Sequence, residues 1–333
     1  MNGGELGNRK SINLPGTHIN LPALKQKDID DLIAGCKEDF DYIAASFIRC
    51  EDDVKQIRKV LDENGGKDIK IISKIESQEG IDNFDSILKV SDGIMVARGD
   101  MGVEIPMEQV PIVQKKFIKA CNRAGKIVIT ATQMLDSMTT NPRPTRAEVS
   151  DVANAVFDGT GAIMLSGESA MGKYPVHCVD TMKKIAIAVE NSINYWKRFR
   201  RREYDIENWN YTFNLSHTVC STAMEMNANA IFTYTEKGIA ANTISSFLPC
   251  CPIYAVTPNE KTYRQLAMVW NVKPILVDKK DKIEKMMQDG INKMKKAGEV
   301  KQGDVIVIGG GTSVMSEYSD GQMNRTIGGV LKI

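Results

Sequence analysis

Lys70-Ile71-Ile72-Ser73-Lys74-Ile75-Glu76-Ser77-Gln78-Glu79-Gly80 is the stretch that decides how this 333-residue chain is read. Its first half is an apolar, β-branched run, the signature of a buried parallel strand. Its second half sets a lysine and a glutamate two residues apart. Side chains alternate along a strand, so Lys74 and Glu76 point the same way. Lys and Glu are almost never fully buried unless paired or bound to something. Two readings follow: a strand-end salt bridge, or a metal-and-anion site at the mouth of a parallel sheet. The neighbouring segments bear on the choice.

Those segments alternate regularly. Strands are predicted over Asp41 to Phe47, around Lys74, and over Gly93 to Ala97, Lys126 to Thr132 and Ala162 to Leu165. Helices are predicted over Glu51 to Glu63, Gly80 to Val90, Val110 to Arg123, Arg146 to Phe157 and Val176 to Trp196, after a first amphipathic helix near Lys27 to Ile33. Five successive strand–helix units imply right-handed βαβ connections and a parallel sheet, whose functional residues gather at the strand C-termini. Around Arg198-Phe199-Arg200-Arg201-Arg202-Glu203 the pattern breaks, which places a domain boundary there; basic runs on connecting segments are usually solvated surface. A second alternation runs to Ile308 and predicts a small doubly wound α/β domain, with an edge strand in the tail Asn324 to Ile333. Gly309-Gly310-Gly311-Thr312 after a strand reads as a tight turn or an anion nest.

Composition narrows the function classes. Lys and Arg number 43 against 42 Asp and Glu, so there is no electrostatic footprint for nucleic acid or an anionic membrane. No apolar run approaches the ~20 residues of a membrane span, and the first residues lack the basic-then-apolar layout of a signal peptide. Seven scattered cysteines without a CxxC pair suit reduced thiols in a cytosolic protein. His18, His177 and His217 are too few and too dispersed for a zinc site or a His-based triad.

The strand ends are polar while the strand bodies are apolar. Lys74 and Glu76 end one strand, Arg98-Gly99-Asp100 the next, Thr132-Gln133 the third and Ser166-Gly167-Glu168 the fourth. Glu76 and Asp100 offer two carboxylates on adjacent tips, enough for Mg²⁺, which completes its octahedron with substrate and water. Backbone N–H groups at Gly99 and Asp100 suit a carboxylate or phosphate. Lys74 would stabilise charge on a transferring phosphoryl group or an enolate, and Thr132 adds a hydroxyl. No nucleophile with its base is evident. A polar rim of internal salt bridges is the alternative for any one of these residues.

Ile71-Ile72-Ser73-Lys74-Ile75-Glu76 resembles the signature strand of the pyruvate kinase family. Gly93 to Asp100, Ala131 to Leu135, Asn141-Pro142-Arg143-Pro144-Thr145-Arg146-Ala147-Glu148 and Ile163 to Glu168 resemble its other hallmark segments, in the family's order. The resemblance implies an α/β fold: the last five strand–helix units of a (β/α)8 TIM barrel, then a small doubly wound C-terminal domain. Residues 1–11 would be a remnant of the lid domain, 12–197 the barrel part and 198–333 the effector and tetramerisation domain. It implies Mg²⁺-dependent (or Mn²⁺-dependent) phosphoryl transfer from phosphoenolpyruvate to ADP, giving pyruvate and ATP, in a cytoplasmic homotetramer. By the same resemblance Lys74 would stabilise the phosphoryl group and enolate, and Glu76 and Asp100 would hold the metal. Gly99, Asp100 and Thr132 would bind the substrate carboxylate, and Lys10 would reach the nucleotide. Ser166 would lie near the proton delivered to the enolate, and Arg98 would stand among the catalytic residues.

Relative to the family pattern the chain starts at the end of the lid. The expectation is therefore a truncated member, without the first three barrel strands, the K⁺ ligands and much of the nucleotide pocket, and poorly active or inactive alone. Ile239-Ala240 stand where bisphosphate-regulated members have arginine and serine, so fructose 1,6-bisphosphate is not expected to activate. Two other readings compete: a Mg²⁺-dependent lyase barrel acting on pyruvate-like enolates, and a non-catalytic assembly subunit.

Overall fold

A computed structural model of the chain describes residues 22–201, 210–310 and 328–333. Lys10, the 1–11 segment, His18, and the Arg202-Glu203 and Gly311-Thr312 ends of two motifs lie outside the described residues. The first sheet has five parallel strands: β1 (Tyr42–Ala45), β2 (Lys70–Ile75), β3 (Gly93–Ala97), β4 (Ile127–Ala131) and β5 (Ala162–Ile163). They pair in sequence order, β1-β2-β3-β4-β5. A parallel sheet wound in one direction carries its connecting helices on one face. Ile71, Ile75, Ile94, Val96 and Val128 pack with those helices, whereas Ile72, Met95, Ile129 and Ala131 form a separate cluster on the opposite face. Lys74 and Glu76 share the parity of Ile72, so they belong to that opposite face. Among the described residues no pairing joins β1 to β5, and the sheet is an open arc of the barrel rather than a closed one.

The helices form where apolar spacing and end signals coincide. Glu51–Glu63 has three acids in its first turn and buries Val54, Ile57 and Leu61 at intervals of three and four. Val110–Ala124 has Pro111 in its first turn and stops at Gly125, held at φ +65. In Arg146–Asp158 the Thr145 hydroxyl and the Glu148 carboxylate make a reciprocal capping box. Burial alone would raise the Glu148 pKa; the donors of Ser137 and Thr145 outweigh it and hold the carboxyl below its usual range.

Three expectations need correction. The helix expected over Gly80 to Val90 is two, Gln78–Asp82 and Phe84–Val90, jointed at Asn83. The helix expected to reach Trp196 ends at Ser192, because Ile193 turns extended, and Tyr195–Arg201 forms a separate piece. The last strand of the first sheet stops at Ile163, two residues early.

The second domain is doubly wound, as expected. Strands β6 (Ala230–Tyr234), β7 (Ile253–Thr257), β8 (Val272–Leu276), β9 (Val305–Gly310) and β10 (Gly328–Lys332) lie in the order β10-β9-β6-β7-β8. All pairs are parallel except the edge pair β10–β9. Residues of helices Tyr211–Glu225 and Ile239–Ser246 cluster on one face, and Ile283–Lys296 packs on the other. Gly290 permits that contact, since a Cβ there would come 2.5 Å from Val256 Cγ2.

This domain docks under the N-terminal ends of β1 and β2. Lys261 and Arg264 pair with Asp39 and Asp41 at the exposed margin. Beneath them the Gln265 side-chain amide, in a residue 8% exposed, donates to the Asp41 and Asp68 carbonyls at 3.1 and 2.8 Å, while the Gln265 backbone carbonyl accepts from the Tyr42 hydroxyl at 2.7 Å. Exposed ion pairs are screened and gain little, whereas a buried amide leaves its partners unsatisfied when removed. Gln265→Ala is therefore expected to cost ~2 kcal/mol of stability in urea unfolding, and Arg264→Ala distinctly less. The opposite ranking would mean that the ion pairs hold the domains together.

Candidate active site

The C-terminal tips of the first sheet carry three linked groups of side chains. At β1 and β2, the Lys74 ammonium sits 2.8 Å from Glu76 Oε1 and donates to Ser46 Oγ at 2.9 Å. The other Glu76 oxygen, Oε2, accepts the Phe47 N–H at 2.6 Å. Glu76 is 1% exposed, and Lys74 is half-buried beside it. The strand alternation thus delivers a cation and an anion to one spot, as the sequence spacing requires.

At β3 and β4 the chain bends sharply. β3 runs directly into a short helix, Arg98–Glu104, with Gly99 and Asp100 in its first turn. Facing it, Thr132 and Gln133 adopt φ +69 and +54, values that L side chains rarely take. Consecutive left-handed residues without glycine persist only when their surroundings enforce them, and such strain concentrates at functional sites. The enforcing group is Arg98. Its Nε donates to the Ala131 carbonyl at 3.1 Å, Nη2 to the Thr132 carbonyl at 2.5 Å, and Nη1 to Asp151 at 2.7 Å. The turn aims the Thr132 hydroxyl at the Gly99 N–H, 2.7 Å away. A Cβ on Gly99 would lie 3.5 Å from the Thr132 side chain, in ordinary van der Waals contact.

At β4 and β5 the buried Glu168 accepts from the Leu135 N–H at 3.1 Å and the Ser166 N–H at 2.8 Å. Ser166 is half-buried there, fixed through its backbone.

The donor set fits a hard divalent cation. Glu76 is a buried carboxylate whose one ion-pair partner among the described residues is Lys74. Asp100 is half-buried on the neighbouring tip, with no ion pair or side-chain hydrogen bond among the described residues. Register places Ile75 beside Val96, so Glu76 lies level with Ala97 at the start of the Arg98–Glu104 turn. No group of three His, Cys, Asp or Glu side chains converges among the described residues. Mg²⁺ takes one or two carboxylates and leaves positions for substrate and water, which two acids on adjoining tips would suit.

Of the residues named from sequence, Lys74 and Glu76 meet directly, as do Arg98, Gly99 and Thr132. Asp100 and Ser166 stand on the adjoining tips. Three participants escaped the sequence reading: Ser46, Phe47 and Asp151. Two small cavities lie at the other end of the strands, between the domains, one of them lined by Tyr42, Lys70, Asp92 and Gln265. They are remote from these tips.

Comparison with known proteins points to one family. Residues 1–179 match the family model "Pyruvate kinase, barrel domain" and residues 214–324 match "Pyruvate kinase, alpha/beta domain". A curated pyruvate kinase of Clostridium acetobutylicum is 54% identical over 310 residues, covering 93% of this chain and 65% of that protein. Those of Sporosarcina psychrophila and Bacillus licheniformis are 49% and 48% identical, covering 94% and 97% of this chain and 53% and 56% of their own length. The chain thus spans between half and two thirds of the length of these relatives. No helix among the described residues is long and apolar enough to cross a membrane.

Proposed function

This chain belongs to the pyruvate kinase family, and from that premise we propose that it supplies the phosphoenolpyruvate and metal sites of an enzyme that transfers a phosphoryl group to ADP. The observation that carries the reading is the Lys74–Glu76 pair at 2.8 Å, an ammonium and a buried carboxylate on one strand tip.

Glu76 and Asp100 would hold Mg²⁺ or Mn²⁺, which when bound supplies Lewis-acid charge stabilisation and orients the reactants. Lys74 would lie against the phosphoryl group as it leaves and against the enolate oxygen left behind, where negative charge builds. The Gly99 N–H and the Thr132 hydroxyl are close enough to share one carboxylate oxygen of the substrate, with the Asp100 N–H beside them. Arg98 would act by fixing the Thr132 turn. Ser166 stands at the same rim, where a proton must reach the enolate carbon. Lys10 would approach the nucleotide. K⁺, a homotetramer and a cytoplasmic setting belong to the proposal on family grounds. Ile239, exposed where a cation would be needed, speaks against activation by fructose 1,6-bisphosphate.

The test is pyruvate formation followed with lactate dehydrogenase in the protein that contains this chain. Release of pyruvate from phosphoenolpyruvate only with both ADP and Mg²⁺ is expected. No pyruvate from phosphoenolpyruvate, but pyruvate from a citramalate-type substrate whether or not ADP is present, would favour a carbon–carbon lyase instead.

A further inference from the structure

The segment Ser46 to Arg49, between β1 and the helix Glu51–Glu63, belongs to no regular element, yet it is tied to the tip of β2 at several points. Ser46 Oγ accepts from the Lys74 ammonium at 2.9 Å. The Phe47 N–H donates to Glu76 Oε2 at 2.6 Å, and the Ile48 N–H to the Lys74 carbonyl at 3.3 Å. From behind, Asn83 Nδ2 donates to the Arg49 carbonyl at 2.9 Å. Gly80 leaves room for the Ile48 carbonyl, which a Cβ there would approach to 2.7 Å. Phe47 is held at φ +53 and is 51% exposed. A left-handed, non-glycine residue that is also aromatic and exposed is doubly unfavourable. Only its main chain is used, and what it gains is one hydrogen bond to Glu76.

The two Glu76 oxygens therefore have different fates. Oε2 is fixed by a backbone donor, and among the described residues Oε1 is held by the Lys74 ammonium alone. A cation entering between Glu76 and Asp100 competes with that ammonium for Oε1. We propose that Ser46 is a positioning residue that receives the Lys74 ammonium when Glu76 turns to the divalent cation. The hydroxyl keeps a neutral acceptor at the strand tip, so the ammonium stays beside the metal site without blocking it. Remove it, and the ammonium has only Glu76, which then yields to the cation less readily. This rests on the proposed role of Glu76 and Asp100 as metal ligands.

The test is Mn²⁺ titration of the full chain by electron paramagnetic resonance, comparing wild type with Ser46→Ala, Ser46→Thr and Glu76→Gln. Ser46 is exposed, and its alanine variant is expected to unfold at the wild-type temperature. Ser46→Ala is expected to weaken Mn²⁺ binding about tenfold, the scale of one hydrogen bond to a charged group near the surface. Ser46→Thr, which keeps the hydroxyl, is expected to restore it, and Glu76→Gln to abolish it. Loss in Glu76→Gln with wild-type affinity in Ser46→Ala overturns the role of Ser46 and leaves the metal site standing. Failure of Ser46→Thr to restore binding after loss in Ser46→Ala also overturns it. Wild-type affinity in Glu76→Gln, or no binding by wild type, overturns both.

Discussion

Lys74→Met is expected to lower phosphoryl-transfer turnover by about three orders of magnitude, and to lower the unfolding midpoint because the buried Glu76 loses its counter-charge. Methionine matches the lysine stem in length and fills the same half-buried groove, so packing survives. What is lost is a positive charge held at 2.8 Å from Glu76 and therefore fixed in direction at the strand tip. Preorganised charges aimed at developing negative charge in a water-poor site contribute several kcal/mol, because no reorganisation is needed as the reaction proceeds. The same substitution frees Glu76 Oε1 from its ammonium. Mn²⁺ affinity is therefore expected to hold or rise while turnover collapses. A simple loss of structure would lower both. Turnover within tenfold of wild type would remove Lys74 from the chemistry.

Arg98→Met is expected to act by another route, on stability and on the substrate carboxylate together. The Arg98 side chain is 10% exposed and touches the Ala131 and Thr132 carbonyls, the Met134 sulfur and Asp151. Removing one member of a largely buried network strands the others, at a cost of about 2–4 kcal/mol. The larger consequence is local. Without the guanidinium nothing compels Thr132 and Gln133 to stay left-handed, and the turn relaxes toward ordinary backbone. The Thr132 hydroxyl then leaves the Gly99 N–H. The KM for phosphoenolpyruvate is expected to rise at least tenfold, with a smaller fall in kcat, because carboxylate binding is lost rather than phosphoryl stabilisation. Asp151→Asn, which keeps a hydrogen-bond acceptor, should reproduce the effect weakly. An unchanged KM in a folded Arg98→Met protein would contradict the positioning role.

How far the sequence foretold the site depends on the interaction. The Lys74–Glu76 pair was legible because period-two alternation fixes which side chains share a face, and the pair is local. The strand order followed from the run of strand–helix units, since short right-handed crossovers leave few topologies. The short helix Arg98–Glu104 was not foreseen, because two glycines in Arg-Gly-Asp-Met-Gly read as loop; it forms because β3 ends there and Met101 is buried against the core. The break at Ile193 carries no glycine or proline to announce it. Ser46, Phe47 and Asp151 were missed for one shared reason. Their roles depend on backbone in the left-handed region at Phe47, Thr132 and Gln133, where no residue type signals it, and on partners as distant as the 53 positions separating Arg98 from Asp151. Tertiary packing decides such positions.

Diffraction from crystals soaked with Mn²⁺, recorded where manganese scatters anomalously, tests the central claim most directly. The account predicts one strong anomalous peak between the Glu76 and Asp100 carboxylates, with oxygens at ~2.0–2.3 Å and the Lys74 ammonium turned to Ser46. A peak on other ligands, or the Lys74–Glu76 pair intact with Glu76 making no contact to metal, would contradict it.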